Sequence, residues 1–284
     1  MRNSSIFSLP VDKDFIFTDH KGNYKKKIEK EQRNLIVKIA FIKTFLKPGE
    51  NILRITTGYS QVNSLDQILT AWIFIYLKRA LFVFTNKRIF HVPTTVRYGY
   101  RNSIAQIMYS ENQSIALKGR TLIVKCGVCG DQHKFIGISG KDKKKIRTIL
   151  KKVKFNGVNE PVSARAHLCP RCTNELTKGE HVCPKCKLKF KRKSKLRSML
   201  PGMGYFYVRQ TFLGIVNTIV ELILIGFLIS LYLKLSQDNK AAILYLALFG
   251  GLFIFEKIAT MYHSIHFIDE FIPEIEEVKP LSTL

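Results

Sequence analysis

The sequence predicts an α+β fold joined to a pair of long apolar helices. Residues 51–138 contain short runs of β-type residues separated by turn residues, and helical patterns precede and follow them. Residues 211–259 contain two long apolar runs. The chain has 284 residues, of which 46% are hydrophobic, and a net charge of +25. This apolar content excludes a disordered basic tail protein, which could not bury enough surface to offset its ordering entropy.

The first helix is predicted over residues 25–46, where Leu35, Ile39 and Ile42 recur at helical spacing. Seven strands are predicted at residues 51–57, 80–84, 88–92, 103–109, 113–117, 121–125 and 132–138. The apolar stretch 68–77 is too short to cross a membrane and is predicted to be a core segment. A last helix is predicted over residues 141–154, with an apolar face and a lysine-rich face.

The residues around the second predicted strand resemble a known family. Residues 80–90 read ALFVFTNKRIF, are preceded by Pro48-Gly49-Glu50 and are followed by the helix at 141–154. This arrangement resembles the bacterial pleckstrin-homology-like (GRAM-related) domains. The resemblance implies a pleckstrin-homology-like bent antiparallel β-sandwich or barrel with a capping helix. It also implies docking to lipid or protein, and it implies no catalytic residues.

The six cysteines form three Cys-x-x-Cys pairs, and the last two pairs are ten residues apart. Two such turns facing each other supply four thiolates for a closed tetrahedral metal site. The expected ligands are Cys169, Cys172, Cys183 and Cys186. The pattern resembles a short zinc ribbon and predicts one structural Zn²⁺ per chain, with redox thiols or two disulfides as alternatives. Thr173 and Lys187 stand where such ribbons usually have glycine, which predicts looser turns.

The remaining pair, Cys126 and Cys129, lies where a hairpin turn is predicted. Two interpretations are open. The pair is either two ordinary thiols in a tight turn or a second metal or thiol site completed by residues such as His133 and His167.

The two apolar runs predict a two-helix transmembrane hairpin. The first covers 23 residues, 211–233, and the second covers 241–255 and continues past Glu256 and Lys257 to residue 259. At 1.5 Å per residue, the first run spans a hydrocarbon core of about 30 Å. Long core helices in a soluble bundle are the alternative, but neither run has the polar face that a surface helix needs.

The flanking charges predict the orientation of the hairpin. Residues 141–200 hold 19 Lys and Arg against 4 acidic residues, directly before the first apolar run. By the positive-inside rule, we expect a multi-pass protein of the inner (cytoplasmic) membrane with both termini in the cytoplasm. Residues 1–10 lack the pattern of a signal peptide, so we expect the hairpin to be the targeting element.

A polybasic segment precedes the hairpin and is expected to face anionic lipid. Its basic residues are Lys187, Lys189, Lys191, Arg192, Lys193, Lys195 and Arg197. Each contributes about 1 kcal/mol of attraction when it lies near an anionic surface. A role in membrane topology alone and nucleic-acid binding are the alternatives. Nucleic acid is disfavoured because Phe190 alone offers an aromatic ring for base stacking within this run.

Three polar residues are predicted inside the membrane-spanning part: Asn217, Glu221 and Glu256. A charge at this depth is costly and normally has a partner or carries a proton. Glu221 is expected to be a protonated acid bonded within its own hairpin, or to contact a second copy or another membrane protein. The preceding residues 200–207, LPGMGYFY, resemble the opening of small two-helix membrane domains.

The sequence therefore predicts six segments. They are an N-terminal segment with an amphipathic helix (1–47), a pleckstrin-homology-like domain (48–156), a zinc ribbon (166–190), a polybasic linker (191–203), a transmembrane hairpin (204–262) and an acidic tail (263–284). Because the sequence has no catalytic motif, we expect no enzyme. The expected function is a membrane adaptor or sensor that docks to anionic lipid or an unknown protein partner and can form a homo-oligomer. The alternative is a membrane-tethered nucleic-acid-binding protein.

Overall fold

The computed structural model describes residues 3–6, 8–60, 78–110, 114–125, 132–153, 165–177, 179–191, 199–207, 210–235, 240–268 and 271–275. The chain divides into two compact units, the first formed by residues 1–189 with 275–284 and the second by residues 190–274. The predicted core segment 68–77 and the pair Cys126 and Cys129 lie outside the described residues.

The first unit begins with β1 (Asn3–Ile6), β2 (Leu9–Asp12), α1 (Lys13–Ile16), α2 (Lys26–Lys38) and a 3-10 helix (Ala40–Phe45). The prediction of a single α-helix over residues 25–46 is wrong, because the α-helix ends at Lys38. Ile39, Ile42 and Phe45 are buried at intervals of three residues. This spacing matches the three residues per turn of a 3-10 helix, so the tighter helix turns all three side chains toward the sheet.

The rest of the first unit consists mainly of strands. They are β3 (Ile52–Tyr59), β4 (Arg79–Thr85), β5 (Arg88–Pro93), β6 (Ile104–Met108), β7 (Ser114–Lys118), β8 (Thr121–Lys125), β9 (Gln132–Phe135), β10 (Ala166–Leu168) and β11 (Glu175–Leu176). Between β9 and β10 lies α3 (Lys143–Lys152). All seven predicted strands are present with small shifts at their ends, whereas β1, β2, β10 and β11 were not predicted.

Within the described residues, the strands form an eight-stranded sheet in the order β1-β2-β3-β4-β5-β6-β10-β11 and a three-stranded sheet in the order β7-β8-β9. Neighbouring strands are antiparallel except β2 and β3, which are parallel. Strands β3 to β6 are therefore one antiparallel meander, β7 to β9 are a second, and α3 follows the second. The predicted α+β class is confirmed.

The side chains of strand β4 are buried on both faces of the large sheet. Leu81 and Val83 point to one face and pack in the apolar cluster that includes residues of α2 and the 3-10 helix. Phe82 and Phe84 point to the other face and pack with residues of the three-stranded sheet and α3. Since side chains alternate along a strand, the large sheet lies between these two layers.

The residues that carry the family resemblance form a buried polar cluster. The Arg88 guanidinium donates from Nε to Glu50 Oε1 at 3.0 Å and from Nη2 to Glu50 Oε2 at 2.8 Å. Thr85 Oγ1 donates to Glu50 Oε1 at 2.8 Å, and Arg88 also donates to the Phe45 carbonyl and to Gln106 Oε1. This cluster ties the turn before β3 to the turn between β4 and β5.

The second unit contains a short helix, α4 (Met203–Tyr207), and two long helices, α5 (Thr211–Leu235) and α6 (Lys240–Ile268). Residues 211–234 and 241–262 are long and apolar enough to cross a membrane, with mean hydropathies of 2.4 and 1.8. In the most apolar 18-residue stretch of each helix, only 11% and 6% of the stretch are buried. A core helix of a soluble protein would be mostly buried, so these exposed apolar surfaces favour contact with lipid.

Two glycines bring α4 close to α5. Gly202 has a left-handed φ of +64°, and a Cβ atom there would lie 2.0 Å from Thr218 Oγ1 and 2.4 Å from the Gly214 carbonyl oxygen. A Cβ atom on Gly214 would lie 2.8 Å from the Phe206 ring. Gly202 and Gly214 are therefore required by a close approach of the two helices.

Candidate metal centre and charged sites

The first Cys-x-x-Cys pair lies in the loop between β10 and β11. The Cys169 N–H donates to the Asn174 carbonyl at 2.8 Å, and the Thr173 N–H donates to the Cys169 carbonyl at 2.9 Å. These two bonds close a tight loop, in which the backbone N–H groups of Arg171 and Cys172 donate to the Cys169 sulfur.

The second pair repeats the same backbone pattern at the same sequence offsets. The Cys183 N–H donates to the Leu188 carbonyl at 2.8 Å, and the Lys187 N–H donates to the Cys183 carbonyl at 3.0 Å. Thr173 and Lys187, which replace the usual glycines, have left-handed φ values of 60° and 58°. The turns therefore keep the conformation that normally favours glycine, at a cost of about 1–2 kcal/mol per residue.

The two pairs face each other and bring four sulfur atoms together. Cys169 Sγ lies 3.5 Å from Cys186 Sγ, and Cys172 Sγ lies 3.5 Å from Cys183 Sγ. All four sulfur atoms lie within 4.8 Å of one another, and the four cysteines are free thiols rather than disulfides. Sulfur atoms around a tetrahedral ion with metal–sulfur bonds of about 2.3 Å are about 3.8 Å apart. The cluster can therefore hold one thiophilic metal ion after small adjustments.

The surroundings of the thiols affect their protonation differently. Burial raises the pKa of Cys169, whose side chain is fully buried. Burial acts on Cys183 as well, but the backbone N–H groups of Cys186 and Lys185 donate to its sulfur and lower its pKa below the ordinary value. A bound cation would complete the deprotonation of the set, because a coordinating thiol loses its proton.

The metal cluster is continuous with the large sheet. Strand β10 pairs with β6, and His167 lies opposite Ala105. Gln106 of β6 accepts a hydrogen bond from Arg88 and donates one from Nε2 to Glu175 of β11. A hydrogen-bonded chain therefore runs from the buried Glu50–Arg88 pair to the hairpin that carries Cys169 and Cys172. The sequence gives no periodic pattern that would predict this pairing.

The two histidines considered for a second metal site lie in different sheets. His133 lies in β9 of the three-stranded sheet, and His167 lies in β10 of the eight-stranded sheet. Since Cys126 and Cys129 lie outside the described residues, both interpretations of that pair stay predictions.

The predicted lipid-facing residues fall into three groups. Lys187 and Lys189 are exposed. Lys191 is buried, its Nζ donates to the Tyr207 carbonyl, and its ammonium group lies 4.9 Å from the centre of the Tyr207 ring. The side chain of Lys191 is therefore engaged inside the second unit. The other four, Arg192, Lys193, Lys195 and Arg197, lie outside the described residues.

A larger basic surface lies on α3 and the three-stranded sheet. The segments 114–125, 132–135 and 143–152 hold ten Lys and Arg and no acidic residue. Arg147 of α3 donates from Nε and Nη2 to the Leu117 carbonyl at 3.2 Å and so joins the helix to β7. We call the exposed residues of this surface the basic face: Lys118, Arg120, Lys125, Lys134, Lys144, Arg147, Lys151 and Lys152.

The polar residues of the hairpin contact one another. Glu221 is fully buried and accepts hydrogen bonds from Asn217 Nδ2 and from Lys257 Nζ, both at 2.5 Å. Glu256 accepts a hydrogen bond from Thr260 Oγ1 at 2.6 Å. Glu221 is thus bonded within its own hairpin, with Lys257, which was not among the predicted polar site residues, as its charged partner.

The chain matches no protein-family model and no curated protein. The metal cluster, the basic face and the apolar helices are the features of the chain that bear on its function.

Proposed function

We propose that this protein is a non-enzymatic adaptor or sensor of the inner membrane that docks to anionic lipid through the basic face. The observation that carries the proposal is the complete absence of acidic residues from the segments that form this face, next to ten basic residues. Such a surface attracts anionic head groups by about 1 kcal/mol for each Lys or Arg near the membrane. The exposed apolar surfaces of α5 and α6 support insertion as a hairpin. The basic residues that precede α5 support a cytoplasmic location of both termini.

The fold of the first unit is proposed to be pleckstrin-homology-like. Two antiparallel meanders of four and three strands, followed by α3, support this assignment. The eight-stranded sheet extends this arrangement at both ends, with β1 and β2 on one side and β10 and β11 on the other.

The four-cysteine cluster is proposed to hold one structural Zn²⁺. Four thiolates leave no open position for a metal-bound water, so the ion would stabilise the loops rather than act in catalysis. The reducing cytoplasm favours free thiols over disulfides. Purified full-length protein should contain one zinc per chain, and replacement of Cys169 and Cys172 with serine should abolish binding. A zinc content well below one per chain, with another metal in its place, would contradict the zinc assignment.

A charge-reversal experiment tests lipid docking. The full chain in nanodiscs of neutral lipid is mixed with vesicles of phosphatidylcholine with or without phosphatidylglycerol, and vesicle binding is measured by flotation. Reversal of the three exposed lysines Lys144, Lys151 and Lys152 to glutamate should weaken binding to the anionic vesicles at least about 100-fold, since three attractions of about 1 kcal/mol are lost.

The matched control reverses three exposed lysines of α2: Lys26, Lys27 and Lys30. It makes the same change in net charge at another position and should affect binding much less. Equal losses in the two variants would mean that only net charge matters and would contradict docking by the basic face. Duplex and single-stranded nucleic acid are added as competitors. If they displace the protein from the vesicles at near-physiological salt, the alternative of a tethered nucleic-acid-binding protein replaces this one.

A further inference from the structure

The hairpin contains an ion pair among apolar side chains. Glu221 is fully buried, and its Oε2 accepts a hydrogen bond from Lys257 Nζ at 2.5 Å. Its Oε1 accepts one from Asn217 Nδ2 at 2.5 Å. Both oxygens of Glu221 therefore have a donor, and the charges of Glu221 and Lys257 balance each other.

Glu256 adds a second carboxyl group beside this pair. Its Oε1 accepts a hydrogen bond from Thr260 Oγ1 at 2.6 Å. Its Oε2 is buried and receives no hydrogen bond from any donor group among the described residues. Lys257, the next residue of α6, bonds Glu221, so both carboxyl groups belong to one cluster with a single ammonium group, and they interact electrostatically. This cluster therefore contains a buried acceptor atom that lacks a donor.

Two ionised carboxylates cannot form a hydrogen bond, because neither has a proton to donate. Two carboxylates and one ammonium group would also leave a net charge of −1 in surroundings that solvate charge poorly. One proton on Glu256 resolves both problems, since it supplies the missing donor and makes the cluster neutral.

We propose that Glu221, Glu256 and Lys257 form a binding site for one proton inside the hairpin. Glu256 Oε2 carries the proton and donates it to the Glu221 carboxyl group, while Glu221 keeps its negative charge toward Lys257. The uncharged polar groups that face the site are Asn217 of α5, Thr260 of α6 and Tyr205 of α4. The inference rests on the membrane insertion proposed above, because water would otherwise solvate the excess charge.

Infrared difference spectroscopy of the full chain in nanodiscs, which compares the spectrum of the wild type with that of each variant, tests this site. The signal is the carbonyl stretch of a protonated carboxylic acid. At neutral pH the wild type should show one such band, which shifts in D₂O. The variant Glu256→Gln should lose the band and stay folded, because its amide N–H replaces the proton as donor. In Lys257→Met the band should grow about two-fold, since both carboxyl groups are then neutral.

The matched control is Glu31→Gln, which neutralises an exposed carboxyl group of α2 and should leave the band unchanged. A wild type without the band, or a band that survives in Glu256→Gln, would overturn the proton site. Protease protection of α5 and α6 in proteoliposomes separates this failure from failure of the membrane proposal. Protected helices without the band overturn the proton site alone, whereas unprotected helices overturn the membrane insertion on which it rests.

Discussion

Replacement of Glu50 with glutamine should destabilise the first unit by about 3–5 kcal/mol, the usual cost of breaking a buried ion pair from one side. The side chains of Glu50 and Arg88 are 0% and 3% exposed, so the guanidinium of Arg88 would stay buried without a counter-charge. Glutamine is close to glutamate in shape. The loss would therefore report the charge and its hydrogen bonds rather than a cavity.

The same pair predicts how stability depends on pH. Burial acts to raise the pKa of Glu50, but hydrogen bonds from Arg88 and the Lys47 N–H, with the Arg88 charge, hold it below its ordinary value of 4.5. The folded state therefore takes up this proton less readily than the unfolded chain. The stabilisation by the pair is present above about pH 4.5 and is lost as the pH falls below that value.

Amide hydrogen exchange of β4 and β5 in the full chain measures the free energy of opening of this sheet. The control is Glu31→Gln, which removes an exposed ion pair with Lys141 (2.7 Å) and should change the opening energy little, because water and salt screen exposed charges. Adding Arg88→Met to Glu50→Gln should recover part of the loss, because no uncompensated charge then stays buried. If Glu50→Gln lowers the opening energy no more than Glu31→Gln, the buried pair does not stabilise this sheet.

Three further predictions concern other parts of the chain. Thr173→Gly should tighten metal binding by about 0.5–1 kcal/mol in a chelator competition, because glycine removes the left-handed cost of about 1–2 kcal/mol but loses about 0.5–1 kcal/mol more chain entropy on folding; weaker binding would contradict a strained turn. Gly202→Ala should lower the thermal stability of the hairpin in detergent through the clash described above. Gly226→Ala, where no atom lies within 4 Å of the added Cβ, should not. Burial and the nearby Arg54 charge lower the pKa of Lys145 to about 8, so stability should rise between pH 8 and the ordinary lysine pKa of 10.5; a Lys145→Met variant should lack that rise.

The features of the fold and of the metal cluster that could be predicted follow from local patterns in the sequence. Each metal loop is closed by backbone hydrogen bonds between residues no more than five apart, so the spacing of the cysteines was enough to predict the cluster. The strands of both meanders follow short apolar runs and turn residues. The two long helices follow from length and hydropathy alone. Each of these features depends on neighbours along the chain.

The partners of charged side chains could not be predicted in this way. Glu221 pairs with Lys257, which is 36 residues away, and Gln106 bonds Glu175 across 69 residues. The end of the first predicted helix was also misplaced, because burial against the sheet favoured a 3-10 turn after Lys38 over continuation of the α-helix.

Three features follow directly from the order of amino acids: a basic α+β unit, a four-cysteine set with tetrahedral ligand spacing, and two apolar helices. These properties are set by residue type and short-range spacing. Tertiary packing, by contrast, places β10 beside β6 in the large sheet and buries Lys191 beside Tyr207. It also pairs Glu221 of one long helix with Lys257 of the other. Such contacts depend on how distant segments pack, and the hydrophobic periodicity of a sequence does not specify that packing.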